Sequence, residues 1–409
     1  MNTQHKILRL GHQGDGVADG PLFAPRTLPD EVVSGAVQGN QLTDIRIDIP
    51  SPDRVAPPCR HYRSCGGCQL QHASDQFVAE WKQQMVVSAL SAQGLSAQML
   101  PIAISAPRSR RRATLSVRRT KKGALAGFHA RASDVITQIP DCQLLDPALL
   151  DGLPVAEALA ILGGSRKGEL SVTVTVTDSG LDVAVTGGKS LDGPLRAALA
   201  QAGDAHKLAR LAWDSETIVL RAPPAQTFGN ARVVPPPGAF LQATPQGEAV
   251  LLEMVQDITK DAASIADLFA GCGTFALPLA QNARVHAVEG DAEMVAALDR
   301  GWRRAQGLKQ VTTETRDLFR RPLMRDELAR FDAVVLDPPR AGAEAQVAEL
   351  TRSQVACIAY VSCNPVTFAR DAARLAAAGY RLGQLRVVDQ FRWSTHIELI
   401  AAFSLLDRA

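Results

Sequence analysis

The chain has 409 residues, and 44 Lys and Arg against 42 Asp and Glu leave a formal net charge of +2. That length suits about two or three domains, and 46% hydrophobic with 21% charged residues excludes a disordered chain. Near-neutrality excludes a wholly basic nucleic-acid coat while allowing a local basic patch. No apolar run reaches the roughly 18–20 residues that span a bilayer, and the start lacks the apolar segment of a signal peptide, so the expectation is a cytoplasmic protein.

Residues 1–50 read as a small β-rich module, with Gly11, Gly14 and Gly16 punctuating short apolar stretches and Val32, Val33 and Val37 marking a further strand. Pro50, Pro52, Pro57 and Pro58 open a linker over 51–75 that carries the first cysteines. Phe77, Trp81, Met85 and Leu90 predict a helix over 76–92. The segment 76–235 reads as a mostly β central domain. Its clearest signal is a hairpin: alternation over 169–176, a turn at Asp178-Ser179-Gly180, and a return strand over 181–186. A Pro-rich stretch over 222–237 closes it. From 236 to 409 the texture becomes α/β. Strands are predicted over 265–269, 284–288, 311–315, 333–336, 358–361 and 399–403. Helices are predicted from Phe275, over 292–305 and over 365–378. The expected fold class is therefore α/β: a Rossmann-like doubly wound C-terminal domain, with a β-rich central domain and a small N-terminal β-barrel module.

Asp267-Leu-Phe269-Ala-Gly271-Cys272-Gly273-Thr274 follows a predicted strand and opens a predicted helix. Small residues let backbone approach a ligand, and a helix start offers free N–H groups. Glu289 closes the next strand, where a carboxylate accepts hydrogen bonds from ribose hydroxyls. Asp317 follows the third strand, at an adenine edge. These residues point to a nucleoside ligand and leave NAD open.

Three further motifs fall where the strands end, the ligand-binding edge of doubly wound sheets. Asp337-Pro-Pro-Arg340 follows the fourth strand, its prolines stiffening the backbone that holds a carboxylate and a guanidinium. Ser362-Cys363-Asn364-Pro365 follows the fifth. Asn364 suits an N-cap and Pro365 the first helical position, so the helix dipole is expected to favour a Cys363 thiolate. His396-Ile-Glu398 opens the last strand, and a carboxylate entering an apolar strand in a cleft suits a general base. His396 has no metal-ligand partner and reads as a supporting histidine.

Together these residues resemble the S-adenosylmethionine-dependent RNA uracil-C5 methyltransferase family, over nearly the whole chain. The resemblance implies that Cys363 is the nucleophile and Glu398 the base. It also implies cofactor contacts at Gln242, Phe269, Thr274, Glu289, Asp317 and Asp337, beside the loop glycines Gly271 and Gly273. The chemistry needs such a pair: uracil C5 becomes nucleophilic only after a thiolate adds at C6, and the adduct persists until a base removes the C5 proton. Three positions depart from the family pattern. Thr244 stands where the family has Asn, Arg392 where it usually has Pro, and Thr274 where Asn is more frequent.

Cys59, Cys65 and Cys68 form a compact triad, and Cys142 stands alone downstream. Four thiolates suit an iron–sulfur cluster or zinc, although the paired C-x2-C spacing usual for structural zinc is missing. The family resemblance implies a [4Fe–4S] cluster. Cys272 and Cys357 receive no role.

Arg108, Arg110, Arg111, Arg112, Arg118, Arg119, Lys121 and Lys122 lie within 108–122 with no acid among them. Interleaved Leu115 and Val117 predict a strand presenting these charges on one RNA-binding surface. Gly11-His-Gln-Gly14-Asp-Gly16 and Leu28-Pro29-Asp30-Glu31 resemble a TRAM domain, although that family usually has Gly at the Asp30 position. A TRAM-like module with a cysteine cluster is most similar to the 23S rRNA enzymes of the family. A tRNA enzyme and a non-catalytic iron–sulfur RNA-binding protein stay open. RNA is the expected partner, with neither a membrane nor an obligate protein partner called for.

Overall fold

The computed structural model describes residues 3–406. The strands Thr3–Leu10, Gly16–Ala18, Leu22–Ala24, Val32–Gln38 and Gln41–Ile49 close into a barrel. Ile7, Ala18, Ala24, Val33 and Leu42 fill it. Glu31 ties the barrel to the linker. Its buried carboxylate accepts from the Leu28 and Ser51 N–H groups at 2.9 and 3.3 Å, and from Arg54 Nε at 2.5 Å. Asp30 holds a φ of +67°, the left-handed region that glycine favours, which explains the glycine preference at this position.

Among the described residues the central sheet has seven strands. They run in the order Ile136–Gln138, Ala124–His129, Arg112–Arg119, Leu170–Thr177, Gly180–Thr186, Arg210–Trp213, Glu216–Leu220. The predicted hairpin is present, pairing Thr177 with Gly180. Two helices, Gly152–Gly163 and Gly193–Ala205, also belong to this unit, so it is mixed α/β where the sequence suggested mainly strands. The first helix is rich in Leu and Ala and contributes Val155, Ala156, Leu159 and Ala160 to the same core as Val172 and Val174.

The C-terminal sheet runs Val311–Thr315, Arg284–Glu289, Ser264–Leu268, Ala333–Leu336, Cys357–Ser362, all parallel. Glu398–Leu405 and Tyr380–Asp389 then follow as an antiparallel pair. Each predicted strand is found to within one or two residues. The largely apolar composition of the central strands Ser264–Leu268, Ala333–Leu336 and Cys357–Ser362 reflects burial on both faces. The topology reverses between Ser264–Leu268 and Ala333–Leu336, which creates the crevice where ligands bind such sheets.

One boundary differs from the sequence reading, which assigned 76–235 to the central domain. The helix Asp75–Ser91 and the strands Gln98–Met99 and Ala103–Ile104 join the C-terminal unit instead. Val86 and Leu90 lie in one core with Tyr380 and Leu385, and both short strands pair with Tyr380–Asp389. The buried face of the helix is Val78, Ala79, Lys82, Val86 and Leu90, while Phe77 and Trp81 pack against the linker and barrel. Ser74 caps its start, accepting from the Phe77 N–H at 3.2 Å.

Candidate active site

Four strand ends meet at the crevice. Leu268 pairs with Val288 and with Leu336, and Leu336 pairs with Tyr360, so Phe269, Glu289, Asp337 and Val361 stand level at the carboxyl edge. The antiparallel pair Ser362–Leu399 sets the next step. One residue beyond it, Cys363 and Glu398 face each other across the same edge. Sequence separation of 35 positions is erased by this register alone.

The loop between Leu268 and Ala276 bends as its glycines require. Phe269, Gly271 and Gly273 hold φ values of +65°, +54° and +94°. A Cβ on Gly271 would meet nothing within 4 Å, whereas one on Gly273 would press within 2.9 Å of Leu277 and Leu298. Gly271 therefore borders the open crevice, and Gly273 allows close packing beneath it. Glu289 accepts from the Gly271 and Asp291 N–H groups at 2.9 and 3.0 Å. Thr274 is half-buried in the same loop. The helix that follows is short, Ala276–Leu279.

Asp317 is exposed and accepts from the Phe319 N–H at 3.0 Å. The Phe319 ring stands 5.4 Å from that of Phe269. Phe319 is 48% exposed. Sequence reasoning missed it; an apolar ring just after the third strand was the available signal. The two rings form an apolar wall of the kind that holds a flat heterocycle.

Acidity is concentrated at the crevice floor. Asp267 is fully buried and neither carboxylate oxygen has a hydrogen-bond partner among the described residues. Burial, then the neighbouring Asp337 and Glu289, hold its carboxyl well above the ordinary range. Burial and Glu289 raise Asp337 likewise, and burial and Asp337 raise Glu398. These desolvated carboxyls suit a ligand that carries positive charge, because a cation among them would restore their ionisation. S-adenosylmethionine, with an ammonium and a sulfonium, fits that requirement.

Cys363 corrects one expectation. The following helix, Pro365–Ala377, is capped by Asn364, which accepts from the Val366 N–H at 3.1 Å. Yet the Cys363 thiol is pushed up to about 11 by burial, then Glu398 and Asp337, with Arg340 opposing. Burial of the thiol, reinforced by the charges of Glu398 and Asp337, outweighs the dipole.

A buried amide joins base to cofactor side. Gln390 Nε2 donates to Gln242 Oε1 at 2.6 Å and to Glu398 Oε2 at 3.4 Å, while its Oε1 accepts from the Ala243 N–H at 2.8 Å. Gln242 Nε2 in turn donates to Asp337 at 3.3 Å. Gln390 had no assigned role from sequence, since nothing local separates it from a polar loop residue. Its neighbour Asp389 pairs with buried Lys82 at 2.7 Å. Arg340 donates to His396 Nδ1 at 2.7 Å, which requires a neutral acceptor ring. Burial, then Arg340, Arg110 and Lys82, indeed depress His396.

Two of the three departures from the family pattern, Thr244 and Arg392, have local explanations, and nothing in the structure explains Thr274. Thr244 caps the helix Pro245–Ile258, accepting from the Gly247 N–H at 3.0 Å, and shares a 2.7 Å hydrogen bond with Ser105. Arg392 reaches the Ser105 carbonyl at 3.1 Å and Asp75 at 2.5 Å, tying the base-bearing loop to the helix Asp75–Ser91.

Cys59, Cys65, Cys68 and Cys142 line one cavity with Tyr62, Phe128 and Ile139. Burial pushes Cys68 up to about 12, and burial also raises Cys65 and Cys142, with mutual repulsion among the sulfurs adding to it. Among the described residues no group of three or more His, Cys, Asp or Glu is close enough to hold a single metal ion. His61 is turned to Asp141, at 2.5 Å. Immediately after Cys68, the N–H groups of Gln69 and Leu70 both donate to the Trp393 carbonyl, at 2.8 and 2.9 Å, in the loop that leads to Glu398.

The eight basic residues do not share one surface, which corrects the sequence expectation. Strand alternation divides them between two faces, and the start of the strand abuts the C-terminal unit. Arg111 pairs with Glu248 at 2.5 Å and Arg112 donates to the Gly238 carbonyl at 2.9 Å, so both serve the seam between units. Arg110 is half-buried, with its guanidinium carbon 5.8 Å from the centre of the Phe391 ring. Arg108 holds Gln143 at 3.1 Å and Arg118 holds Glu169 at 2.9 Å. Arg119, Lys121 and Lys122 have no acidic partner among the described residues.

Comparison with known proteins follows the same outline. Residues 234–404 match the tRNA (Uracil-5-)-methyltransferase family profile. An uncharacterized RNA methyltransferase of Rhizobium meliloti is 47% identical, covering 97% of this chain and 97% of the relative. The 23S rRNA (uracil(1939)-C(5))-methyltransferase of Halomonas elongata is 36% identical, covering 96% of this chain and 87% of the relative. The crystal structure of Pyrococcus abyssi tRNA (uracil-54, C5)-methyltransferase with S-adenosyl-L-homocysteine covers 98% of this chain and 99% of that one, with a TM-score of 0.75 at 21% identity. That similarity establishes the shared fold.

Proposed function

This chain belongs to the S-adenosylmethionine-dependent RNA uracil-C5 methyltransferase family, and from that premise we propose that it methylates C5 of a uridine in 23S rRNA, using Cys363 as nucleophile and Glu398 as base. The carrying observation is the strand register that leaves Cys363 and Glu398 facing each other beside Asp337. S-adenosylmethionine, when bound, supplies an electrophilic methyl group. Cys363 Sγ adds to C6 of the uracil, which makes C5 an enolate carbon able to take that methyl. Glu398 then accepts the C5 proton, the electron pair returns to the ring, and the C6–S bond breaks to release Cys363. Because C5 and C6 are shielded in a stacked helix, the target nucleotide must be unstacked or flipped out.

Gln242, Asp337, Glu289, Phe269, Gly271, Gly273, Thr274 and Asp317 are the residues proposed to hold the cofactor. Support comes from the converging carboxyls and the apolar wall of Phe269 and Phe319. Support for 23S rRNA over tRNA is the higher sequence identity of the Halomonas relative, 36% over 96% of this chain, against 21% for the Pyrococcus tRNA enzyme at similar coverage. No helix is long and apolar enough to cross a membrane; a cytoplasmic setting is part of the proposal. So is a TRAM-like RNA-binding role for the barrel. RNA contacts are proposed at Arg119, Lys121 and Lys122.

The four cysteines of the linker and central unit are proposed to hold a [4Fe–4S] cluster; they line one cavity, and bound iron would stabilise the thiolate forms that burial disfavours. Anaerobic purification should yield iron and sulfide together; stoichiometric zinc without iron would overturn this reading. For the catalytic assignment, Glu398→Gln should accumulate a denaturant-resistant protein–RNA adduct on a 23S rRNA fragment, and Cys363→Ser should form none. Clean turnover by either variant would overturn it, and adduct formation on tRNA but not rRNA fragments would overturn the rRNA assignment.

A further inference from the structure

At the far end of the central sheet, cations from three separate chain segments converge. Arg119 ends the strand Arg112–Arg119 and Lys121 lies in the turn after it, Arg166 comes from the loop after Gly152–Gly163, and Lys189 from the loop after Gly180–Thr186; they line one open cavity. Lys122 and Lys167 stand beside them in the same two turns. None of the six has an acidic partner within ion-pair distance among the described residues, whereas their neighbour Arg118 on the opposite face is paired with Glu169. Without these six the chain would hold 38 Lys and Arg against 42 Asp and Glu, so the basin is positive on an acidic body.

The convergence is built into the core. Trp213 is fully buried, and its ring lies where a Cβ on Gly163 would come within 2.3 Å and one on Gly188 within 2.0 Å. Only glycine lets both loops close on that ring. Trp213 Nε1 donates to the Lys189 carbonyl at 2.9 Å, and the Lys189 N–H donates to the Gly163 carbonyl at 3.0 Å. Arg119 completes the rim by reaching the Gly164 carbonyl at 3.4 Å. Like charges are thus held together by packing, an arrangement that an anionic ligand would favour.

We propose that this basin is a second RNA contact, gripping the sugar–phosphate backbone away from the target nucleotide. The proposal rests on the RNA methyltransferase reading and deepens it, joining Arg166, Lys167 and Lys189 to the contacts at Arg119, Lys121 and Lys122 in one site. Arg112, at the other end of the strand, touches the C-terminal unit. Seven residues of strand at about 3.3 Å each place the basin about 23 Å from that seam. An RNA that fills the crevice must therefore extend beyond its target loop to reach the basin. The ligand is a phosphodiester chain because the cavity offers charge and hydroxyls, with no aromatic side chain among its lining residues to stack a base.

The test uses the double variant Arg166→Glu, Lys189→Glu in the full chain; both side chains are exposed, so folding is not at risk. Affinity is measured against salt for a long structured rRNA fragment and for a short oligonucleotide carrying only the target loop. For the long fragment, affinity should fall roughly tenfold and the log–log salt slope should shrink by about 1–2, as expected when two phosphate contacts are lost. Binding and methylation of the short oligonucleotide should match the parent. Parent-like affinity and slope on the long fragment would overturn the basin, as would an equal loss on both RNAs. Failure of the parent to methylate either RNA would overturn the underlying functional reading instead.

Discussion

Lys82 Nζ lies 2.7 Å from Asp389 Oδ1, with both side chains buried and 307 positions of chain between them. The ammonium also donates to the Phe391 carbonyl at 3.2 Å. The helix that follows the cysteine loop is thereby bolted to the loop that ends at Glu398. Burial depresses Lys82, and Asp389 opposes that by Coulombic attraction and a hydrogen bond.

Breaking this pair leaves an uncompensated buried carboxylate. Lys82→Met should cost about 3–5 kcal/mol of stability, read as a lower urea midpoint. Adding Asp389→Asn should recover part of that loss, because the remaining charge is removed. A Lys82→Met protein as stable as the parent would contradict the pairing.

Gln390 is expected to position the base rather than to react. Gln390→Met keeps the volume but removes the donor to Glu398 and the acceptor for the Ala243 N–H. The rate should fall at least tenfold while KM for RNA changes little, and the fraction of RNA trapped as covalent adduct should rise. A purely structural role would lower both adduct formation and turnover together.

The raised Cys363 thiol makes a kinetic statement. With a value near 11, the fraction present as thiolate grows about tenfold per pH unit between pH 7 and 9. Alkylation of Cys363 in the protein alone, followed by peptide mass spectrometry, should rise accordingly and show no plateau. A plateau near pH 7 would mean that the helix dipole wins after all.

The crevice carboxyls predict proton release. Asp267, Asp337 and Glu398 all have raised values in the protein alone, so each is more protonated there than an ordinary carboxylate. A cation bound among them lowers those values, so protons leave on binding and affinity rises with pH. Calorimetry of S-adenosylmethionine binding in two buffers of different ionisation enthalpy should show net release near pH 7. S-adenosylhomocysteine, lacking the sulfonium charge, should release fewer protons.

Legibility differed between regions for physical reasons. Strands of the C-terminal sheet were readable because parallel strands buried on both faces are short apolar runs between turn signals. Motif residues at their ends were readable because Asp, Cys and Glu are unexpected there. The helix Gly152–Gly163 of the central unit was not, since this Leu- and Ala-rich segment has no polar face to give it a helical period. The basic run from Arg108 to Lys122 misled, because charge in a sequence does not reveal which residues find partners.

From the sequence alone came the doubly wound class and the cysteine triad Cys59, Cys65 and Cys68, carried by residue type and spacing, while the resemblance to a family supplied the pairing of Cys363 with Glu398 and the addition of Cys142 to the triad. Tertiary structure alone decided that Asp75–Ser91 belongs to the C-terminal core, that Lys82 and Gln390 hold the base-bearing loop, and that Trp213 closes two cation-bearing loops beside Arg119. Those relationships join positions tens to hundreds of residues apart. Their energies come from desolvation and close packing, which exist only once the chain has folded.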